Sequence, residues 1–254
     1  MATLDSELLE GLLVDRAWLK GRGIENTTVD YYLRSGKLEA VIHGLYRKPG
    51  PPLKWQNVVY SLTLLGYDVH VGHITALTYH GYDHYLKLGI SQSIRLFSPQ
   101  KLPRWVERIG VKPGFSIMKI RPFPDIEVGM TEVPFGTWDW PIRYSLPERA
   151  FIELASTIET REEILQANLM MEGAANLRPS LLQVLLESST SIKAKRLFLW
   201  LARTAGHAWY RHIDLSKIDL GVGKRQIVPG GKLDTEFLIT VPKEVHDGQQ
   251  ESIF

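Results

Sequence analysis

Apolar residues recur at helical spacing in two short stretches near the start of the chain. In the first stretch, Ala17 and Trp18 are expected to face inward, and Asp15 is placed to cap the helix at its N-terminus. In the second stretch, Asn26 carries a side chain favoured at an N-cap. The apolar face of this second helix consists of Val29, Tyr32 and Leu33. The pattern therefore predicts two short helices joined by a turn.

The opposite face of the second helix is polar. The residues at i, i+4 and i+7 on that face are Thr27, Tyr31 and Arg34. Gly36 is expected to end the helix, because glycine favours the backbone of a helix C-terminus. Residues 38–48 then alternate as two strands that turn at His43 and Gly44. Two helices, a turn and a following hairpin make up a winged helix-turn-helix.

The charge of this segment suits a nucleic-acid backbone. Residues 14–48 contain seven lysines or arginines and four acidic residues. In a winged helix the second helix enters the major groove of DNA, and cations of the turn and wing contact phosphates. Asp30 would repel phosphate on that face unless Arg34, four residues further on, pairs with it. A small protein-docking module is the alternative interpretation, because a fold does not fix a function.

The rest of the chain predicts a larger second domain. Three prolines and a glycine in residues 48–53 indicate a boundary, so we place a winged helix-turn-helix domain at 1–52 and a C-terminal domain at 53–254. The predicted helices of the second domain cover 55–67, 71–82, 102–109, 148–158, 161–173, 178–189 and 191–206. The predicted strands cover 93–98, 115–122 and 129–136, with a terminal hairpin over 224–243 that turns at 229–231. The fold class is therefore mixed α+β, with an α/β C-terminal domain.

Composition is that of an ordinary globular protein. The chain has 254 residues, of which 44% are hydrophobic and 23% charged. The absence of cysteine excludes disulfides and thiolate zinc sites, and it fits a reducing compartment. The N-terminal residues lack the basic start and apolar run of a signal peptide, and no stretch has the roughly 18 to 20 apolar residues of a membrane span. We therefore expect a cytoplasmic protein without membrane association.

Three groups of residues suggest a metal site, a phosphate loop or base stacking. His80 and His84 have the i, i+4 spacing of a zinc pair, but Gly81 is expected to end the helix between them, and the tyrosines at 79, 82 and 85 favour packing. Residues 221–225 resemble a phosphate loop without its GxxxxGK[ST] spacing, so a basic turn is the better interpretation. The tryptophans that could stack bases or pack in a core are Trp138, Trp140 and Trp209.

Neither an enzyme nor a cofactor is predicted. The sequence contains no nucleophile elbow, no HExxH motif and no paired catalytic carboxylates at a recognisable spacing. We therefore expect no catalytic residues, no metal ligands and no cofactor. A catalytic C-terminal domain acting on nucleotides or RNA stays open, since acidic residues can cluster in space without a sequence motif.

Several runs resemble a known family. These runs are 145–150, the segment 177–182 with its Leu-Arg-Pro start, 193–201, 206–207 and 213–216, together with the C-terminal extension 219–242. They are similar to the AbiEi-type antitoxins, which are transcriptional regulators of type IV toxin-antitoxin systems linked to abortive phage infection. The likeness extends over nearly the whole chain.

The resemblance implies a repressor that binds the operator of its own operon. It places DNA reading on Thr27, Thr28, Tyr31 and Arg34, and contacts to the DNA backbone on Arg22, Lys37 and Arg47. We expect two copies on an inverted repeat, since half-sites one helical turn apart match paired readers. The resemblance further implies that the C-terminal domain counteracts a nucleotidyltransferase-type toxin encoded nearby. The alternative is a protein-binding antitoxin that neutralises its toxin directly, with little DNA binding.

A second basic segment lies in the C-terminal half. Residues 191–232 contain nine lysines or arginines and two acidic residues. Three interpretations stay open: a second DNA-contact surface, a surface for an acidic toxin, and a solvated face without a partner. The cations assigned to this surface are Lys193, Arg196, Arg203, Lys224 and Arg225.

Overall fold

The computed structural model describes residues 4, 8–82, 93–123 and 127–243. The α-helices in these ranges are α1 Arg16–Gly21, α2 Asn26–Arg34, α3 Trp55–Leu64, α4 His73–Tyr79, α5 Pro147–Thr157, α6 Arg161–Glu172, α7 Pro179–Ser188 and α8 Ile192–Ala205. The strands are β1 Val14–Asp15, β2 Glu39–Ile42, β3 Leu45–Arg47, β4 His70–Val71, β5 Ile94–Phe97, β6 Phe115–Ile117, β7 Met130–Phe135, β8 Trp140–Ser145, β9 Arg225–Gln226, β10 Lys232–Asp234 and β11 Ile239–Val241. Two short 3-10 helices cover Ala208–His212 and Leu215–Lys217.

The strands form three sheets, and the mixed α/β class is confirmed. The sheet orders are β1-β3-β2, β6-β5-β4-β8-β7 and β10-β11-β9. In the first sheet, β2 and β3 are the predicted antiparallel hairpin, and β1 adds a third strand that pairs Val14 with Tyr46. In the second, β5 runs parallel to β6 and β4 runs parallel to β8. The sequence pattern did not predict β1, because two residues are too few for an alternating pattern.

Contacts divide the chain into two compact units. Unit 1 comprises Met1–His70, Ser91–Met118 and Glu132–Arg143, and unit 2 comprises Val71–Ile90, Lys119–Thr131 and Tyr144–Phe254. Unit 1 holds the predicted 1–52 domain together with further segments, and the boundary after residue 52 stays a prediction.

The core of unit 1 joins the winged helix to later segments of the chain. Its buried members include Trp18, Leu19 and Val29 from the two short helices. Trp140 belongs to the same cluster and stacks on Tyr60 at 5.0 Å between ring centroids. Burial of such aromatic rings stabilises a core strongly. The packing of Tyr60 of α3 on Trp140 of β8 therefore stabilises the core to which the helix-turn-helix belongs.

The core of unit 2 is built around α5 and α8 and contains buried charge. Glu153 is 0% exposed and accepts hydrogen bonds from Arg149 Nε at 2.8 Å and from the Ser145 hydroxyl. Glu148 is also buried and accepts from Arg178 Nε at 2.8 Å and from Arg178 Nη2 at 3.0 Å. Burial tends to raise the pKa of Glu148, but its hydrogen bonds to Arg178 outweigh this and hold that pKa below its ordinary value. The two carboxylates are therefore matched by arginines inside the unit.

Two local predictions need correction, and one segment without a prediction is now assigned. Residues 104–109 form successive turns instead of a helix, with Val106 N bonded to the Pro103 carbonyl and Arg108 N to the Trp105 carbonyl. The C-terminal hairpin pairs β10 with β11, whereas β9 runs parallel to β11, so residues 229–231 are not its turn. Residues 136–144, which the pattern left unassigned, form a turn followed by β8.

Candidate nucleic-acid interface

The helix-turn-helix forms where it was predicted, with two shifts in detail. Asp15 caps α1 by accepting from Trp18 N at 2.7 Å. Ala17 is exposed, so the inward residues of α1 are Trp18 and Leu19 rather than Ala17. The N-cap of α2 is Glu25 without a side-chain bond, because Asn26 is already the first helical residue. The turn between the helices contains Gly23 at a φ of 76°, a conformation that glycine adopts without strain.

The predicted polar face of α2 is exposed. Thr27 and Arg34 are exposed, Thr28 is half-buried, and the Tyr31 side chain is 55% exposed. Val29, on the other side of the helix, is fully buried. The structure therefore brings the four predicted DNA-reading residues together on one outward surface of α2, which we call the α2 face.

Asp30 pairs with Arg16 and not with Arg34, which was the partner that the sequence suggested. Its carboxylate accepts from Arg16 Nη2 at 2.6 Å, and Arg16 Nε also donates to the Tyr46 hydroxyl at 3.0 Å. Arg16 Nη1 donates to Asn26 Oδ1 at 3.3 Å. The hydrogen bond to Asp30 raises the pKa of Arg16 above its ordinary value. Arg16 thus links α1, α2 and the wing, a role that no local sequence signal could show across 14 positions.

The cations expected to contact the DNA backbone differ in how available they are. Arg22 lies over the Trp18 ring, 3.5 Å from its centroid, and Lys37 is exposed beside Tyr32. Arg47 is paired with Glu39, and its Nη1 donates to the Pro51 carbonyl at 2.8 Å. These bonds tie Arg47 to the wing, and its contact with the DNA backbone stays a prediction.

Lys20 was overlooked as a site residue. It is exposed in the last turn of α1, next to the turn that leads into α2. In helix-turn-helix proteins the first helix crosses the DNA backbone, so this position is suited to a phosphate contact. Position in the motif, rather than charge alone, would have identified it.

The second basic surface is smaller than predicted. Arg196 is 2% exposed and donates to the carbonyls of Leu220 at 2.6 Å and Gly223 at 2.7 Å. Arg203 is ion-paired with Asp234 and Glu236. We therefore correct the assignment of Arg196, which is buried, whereas the use of the partly exposed Arg203 in binding stays a prediction.

The cations that remain are on the surface or close to it. Lys224 and Arg225 are exposed, and Lys193 is half-buried. Burial lowers the pKa of Lys193 below its ordinary value. Their use in binding stays a prediction.

The part of the histidine cluster that is described includes His80. His80 Nε2 lies 3.1 Å from the Ser145 carbonyl oxygen, and burial lowers the pKa of this imidazole. His84 and Tyr85, of the proposed zinc pair and its neighbours, lie outside the described residues. Among the residues that are described, no group of three or more His, Asp or Glu side chains is placed to hold a metal ion.

Two of the three tryptophans pack in cores, and the basic turn lacks the helix of a phosphate loop. Trp140 and Trp209 are buried, and the Trp209 indole donates to the Ala174 carbonyl at 2.8 Å, so these two rings pack in cores. Trp138 is 55% exposed. Residues 221–224 bend directly into β9, without the helix that a phosphate loop requires. Within the described ranges, no helix is both long and apolar enough to cross a membrane.

Two family models match the chain in succession. The first covers residues 1–88 and is described as the N-terminal domain of the AbiEi antitoxin, a transcriptional regulator. The second covers residues 91–242 and is described as a transcriptional regulator, the AbiEi antitoxin of a type IV toxin-antitoxin system. This chain belongs to the AbiEi antitoxin family. It is therefore a transcriptional regulator of the antitoxin class, as its sequence resemblance implied.

A solved structure shares the fold of this AbiEi-family chain. It is described as the crystal structure of RV2827C protein from Mycobacterium tuberculosis, with a TM-score of 0.57 and 14% sequence identity. The alignment covers 94% of this chain and 90% of that one. At this identity the likeness shows the fold alone. No curated protein matches the chain.

The family-like runs of the C-terminal half include residues that bond to the buried Glu148 and Glu153, among them the exposed Arg178. Ser145, Glu148 and Arg149 come from the run 145–150, and Arg178 comes from the run that begins at Leu177. All four take part in the hydrogen bonds to Glu148 and Glu153 described above. These AbiEi-like residues therefore hold the core of unit 2 together.

Proposed function

We propose that this AbiEi-family regulator represses its own operon by inserting α2 into the major groove of operator DNA. The observation that carries the proposal is the α2 face, where Thr27, Tyr31 and Arg34 project from a helix whose other side is buried. A polar row on the second helix of a helix-turn-helix is the arrangement that reads base edges.

Each side chain of the α2 face suits a particular contact. The Arg34 guanidinium can donate two hydrogen bonds to O6 and N7 of a guanine. Thr27 can bond to several bases, and the Tyr31 ring can contact a thymine methyl group. Lys20 precedes α2 in the chain and Lys37 follows it. Both are exposed and are suited to contacts with DNA phosphates.

Asp30 is compatible with this mode of binding. Its charge is balanced by Arg16 at 2.6 Å, so the α2 face does not present an uncompensated anion to the DNA backbone. The pair is exposed at the surface, so we assign it an orienting role between α1 and α2 rather than a large contribution to stability.

The proposal extends to operator architecture and compartment. Two copies would read an inverted repeat with half-sites about one helical turn apart, because one winged helix covers a single half-site. A repressor of this kind works where the DNA is, which in a bacterial host is the cytoplasm.

Replacing Arg34 by alanine is expected to weaken binding to the operator by about 1 to 3 kcal/mol and to relax specificity at one base pair. The measurement is fluorescence anisotropy on the duplex upstream of the gene and on point variants of that duplex. Arg104→Ala is the matched control, since Arg104 is an exposed arginine of unit 1 outside the winged helix. Equal losses for the two variants would contradict the role of Arg34.

For the antitoxin activity, we propose a nucleotidyltransferase-type toxin encoded nearby as the target. The support is membership of a family whose description names a type IV system. Co-expression with that toxin tests it: growth should be restored by this chain and not by a chain that ends at Arg143 and so lacks the Tyr144–Phe254 segment of unit 2. Co-elution of the two purified proteins would favour direct neutralisation over antagonism without contact.

A further inference from the structure

Asp30 has a central position among the residues of the α2 face. It follows Thr27 by three residues and precedes Arg34 by four, and residues at these spacings share one side of a helix. These three side chains and Leu33 line a cavity of about 380 Å³. The Asp30 side chain is 54% exposed. A carboxylate therefore lies between two of the side chains to which base reading is assigned.

Arg16 holds this carboxylate in a defined position. Asp30 Oδ1 accepts a hydrogen bond from Arg16 Nη2 at 2.6 Å. The same guanidinium donates to Asn26 Oδ1 and to the Tyr46 hydroxyl, so all three of its nitrogens are engaged. A side chain that is fixed in advance loses less conformational entropy when it binds a ligand. The Asp30 carboxylate is therefore oriented before DNA is bound.

The second oxygen of Asp30 is available to a ligand. Within the part of the chain that the structure describes, the bond from Arg16 is made to Oδ1, and Oδ2 accepts no hydrogen bond. An ionised carboxylate accepts hydrogen bonds at both oxygens and donates none. The α2 face thus has an acceptor-only position between the hydroxyl of Thr27 and the guanidinium of Arg34.

The base edges in the major groove differ in how well they suit such an acceptor. Guanine presents the acceptors O6 and N7, and thymine presents the acceptor O4, so both repel a carboxylate. Adenine presents its N6 donor beside the N7 acceptor, an arrangement that suits an amide better than an acid. Cytosine presents its N4 amino group, which is a donor. Cytosine is therefore the base that the Asp30 carboxylate favours.

We propose that Asp30 is a specificity-determining residue that accepts a hydrogen bond from N4 of an operator cytosine, and that Arg16 is its positioning residue. The inference rests on the proposed insertion of α2 into the major groove and assigns one further base contact to that helix. Arg16 balances the charge of the carboxylate and so reduces its repulsion of phosphates. A different base opposite Asp30 leaves a desolvated carboxylate without a donor, which discriminates against other sequences.

Asp30→Ala and Asp30→Asn test the assignment, with affinities measured by fluorescence anisotropy on the duplex upstream of the gene and on its single-base-pair variants. Wild-type protein should prefer cytosine at one base pair of each half-site by about tenfold or more. Asp30→Ala should lose that preference and bind a shuffled duplex at least as tightly as wild type, since it removes a negative charge. Asp30→Asn should move the preference to adenine, because an amide pairs with N6 and N7.

Glu107→Gln is the matched control for the loss of charge, because Glu107 is an exposed acid of unit 1 outside the winged helix. It should leave every base preference unchanged. The proposal is overturned if Asp30→Ala keeps the wild-type preferences, or if it weakens binding to the upstream and shuffled duplexes by the same factor. In either case, relaxed specificity in Arg34→Ala would leave the reading of DNA by α2 intact. Equal affinity of the wild-type protein for the two duplexes would contradict that reading and, with it, this inference.

Arg16→Met tests the positioning role. This variant should lose the cytosine preference and bind both duplexes more weakly, because the charge of Asp30 is then uncompensated. Adding Asp30→Asn to Arg16→Met should restore binding to the shuffled duplex, since the two effects are coupled through one ion pair. A cytosine preference that persists in Arg16→Met would contradict the positioning role.

Discussion

Replacing Glu153 by alanine is expected to lower the free energy of unfolding by about 3 to 5 kcal/mol, because it removes a buried carboxylate to which the buried Arg149 guanidinium donates. Glu153 is fully buried and pairs with Arg149 at 2.8 Å. Its Oε2 also accepts from His73 N at 2.9 Å, and His73 has a φ of 57°, which is strained for a non-glycine residue. The variant would remove the acceptor for three donors at once.

The measurement is chemical denaturation followed by circular dichroism. Glu107→Ala, a change at an exposed glutamate, should shift the midpoint little. The double variant Arg149→Met with Glu153→Leu should be less destabilised than Glu153→Ala alone, because no unpaired charge remains inside. If Glu153→Ala behaved like Glu107→Ala, the buried network would not support unit 2 as described.

Replacing Arg196 by methionine is expected to lower the free energy of unfolding by about 3 kcal/mol and to make the loop of residues 220–225 more mobile. The buried guanidinium makes charge-assisted hydrogen bonds to the Leu220 and Gly223 carbonyls, and methionine fills the space without donating to them. The Leu220 and Gly223 carbonyls then lose their hydrogen-bond donor and must bond to water, which requires the loop to move away from α8.

Hydrogen exchange together with denaturation checks this result. The amides of residues 221–226 should exchange faster in Arg196→Met, whereas those of α5 should change little. Arg211→Met serves as the control, since Arg211 is an exposed arginine of the same unit. Unchanged stability and exchange in Arg196→Met would mean that the loop keeps its shape without the arginine.

Local patterns were sufficient for the helix-turn-helix. The spacing of Val29 and Leu33, the cap at Asp15 and the turn at His43 and Gly44 are short-range signals, and the structure confirms each of them. The resemblance to the antitoxin family is likewise confirmed, since the family models cover both halves of the chain.

Long-range packing accounts for what the pattern missed. The density of cations in residues 191–232 predicts a surface position for Arg196. The Arg196 guanidinium is instead buried and donates to carbonyls that lie 24 to 42 residues further along the chain. The pairing of Arg47 with Glu39 on the neighbouring strand is likewise absent from the sequence-based prediction. Neither partner could be inferred from local sequence.

Short segments were the second source of error. Residues 102–109 carry apolar side chains at helical spacing, but the chain makes only successive turns there and then reaches Gly110 at a φ of 76°. So short a segment forms a helix only if packing supports it, because helix nucleation is costly. In the C-terminal segment, proximity along the chain favoured a turn at residues 229–231, whereas the observed pairing places β11 between β9 and β10.

Titration of the full-length protein on two duplexes at two salt concentrations tests whether the α2 face reads operator DNA. One duplex is the sequence immediately upstream of its gene, and the other is the same sequence shuffled. We expect binding to the upstream duplex to be at least about 10³-fold tighter than to the shuffled one and to weaken steeply with salt as phosphate contacts are screened. Equal affinity for both duplexes, or no binding at micromolar protein, would contradict it.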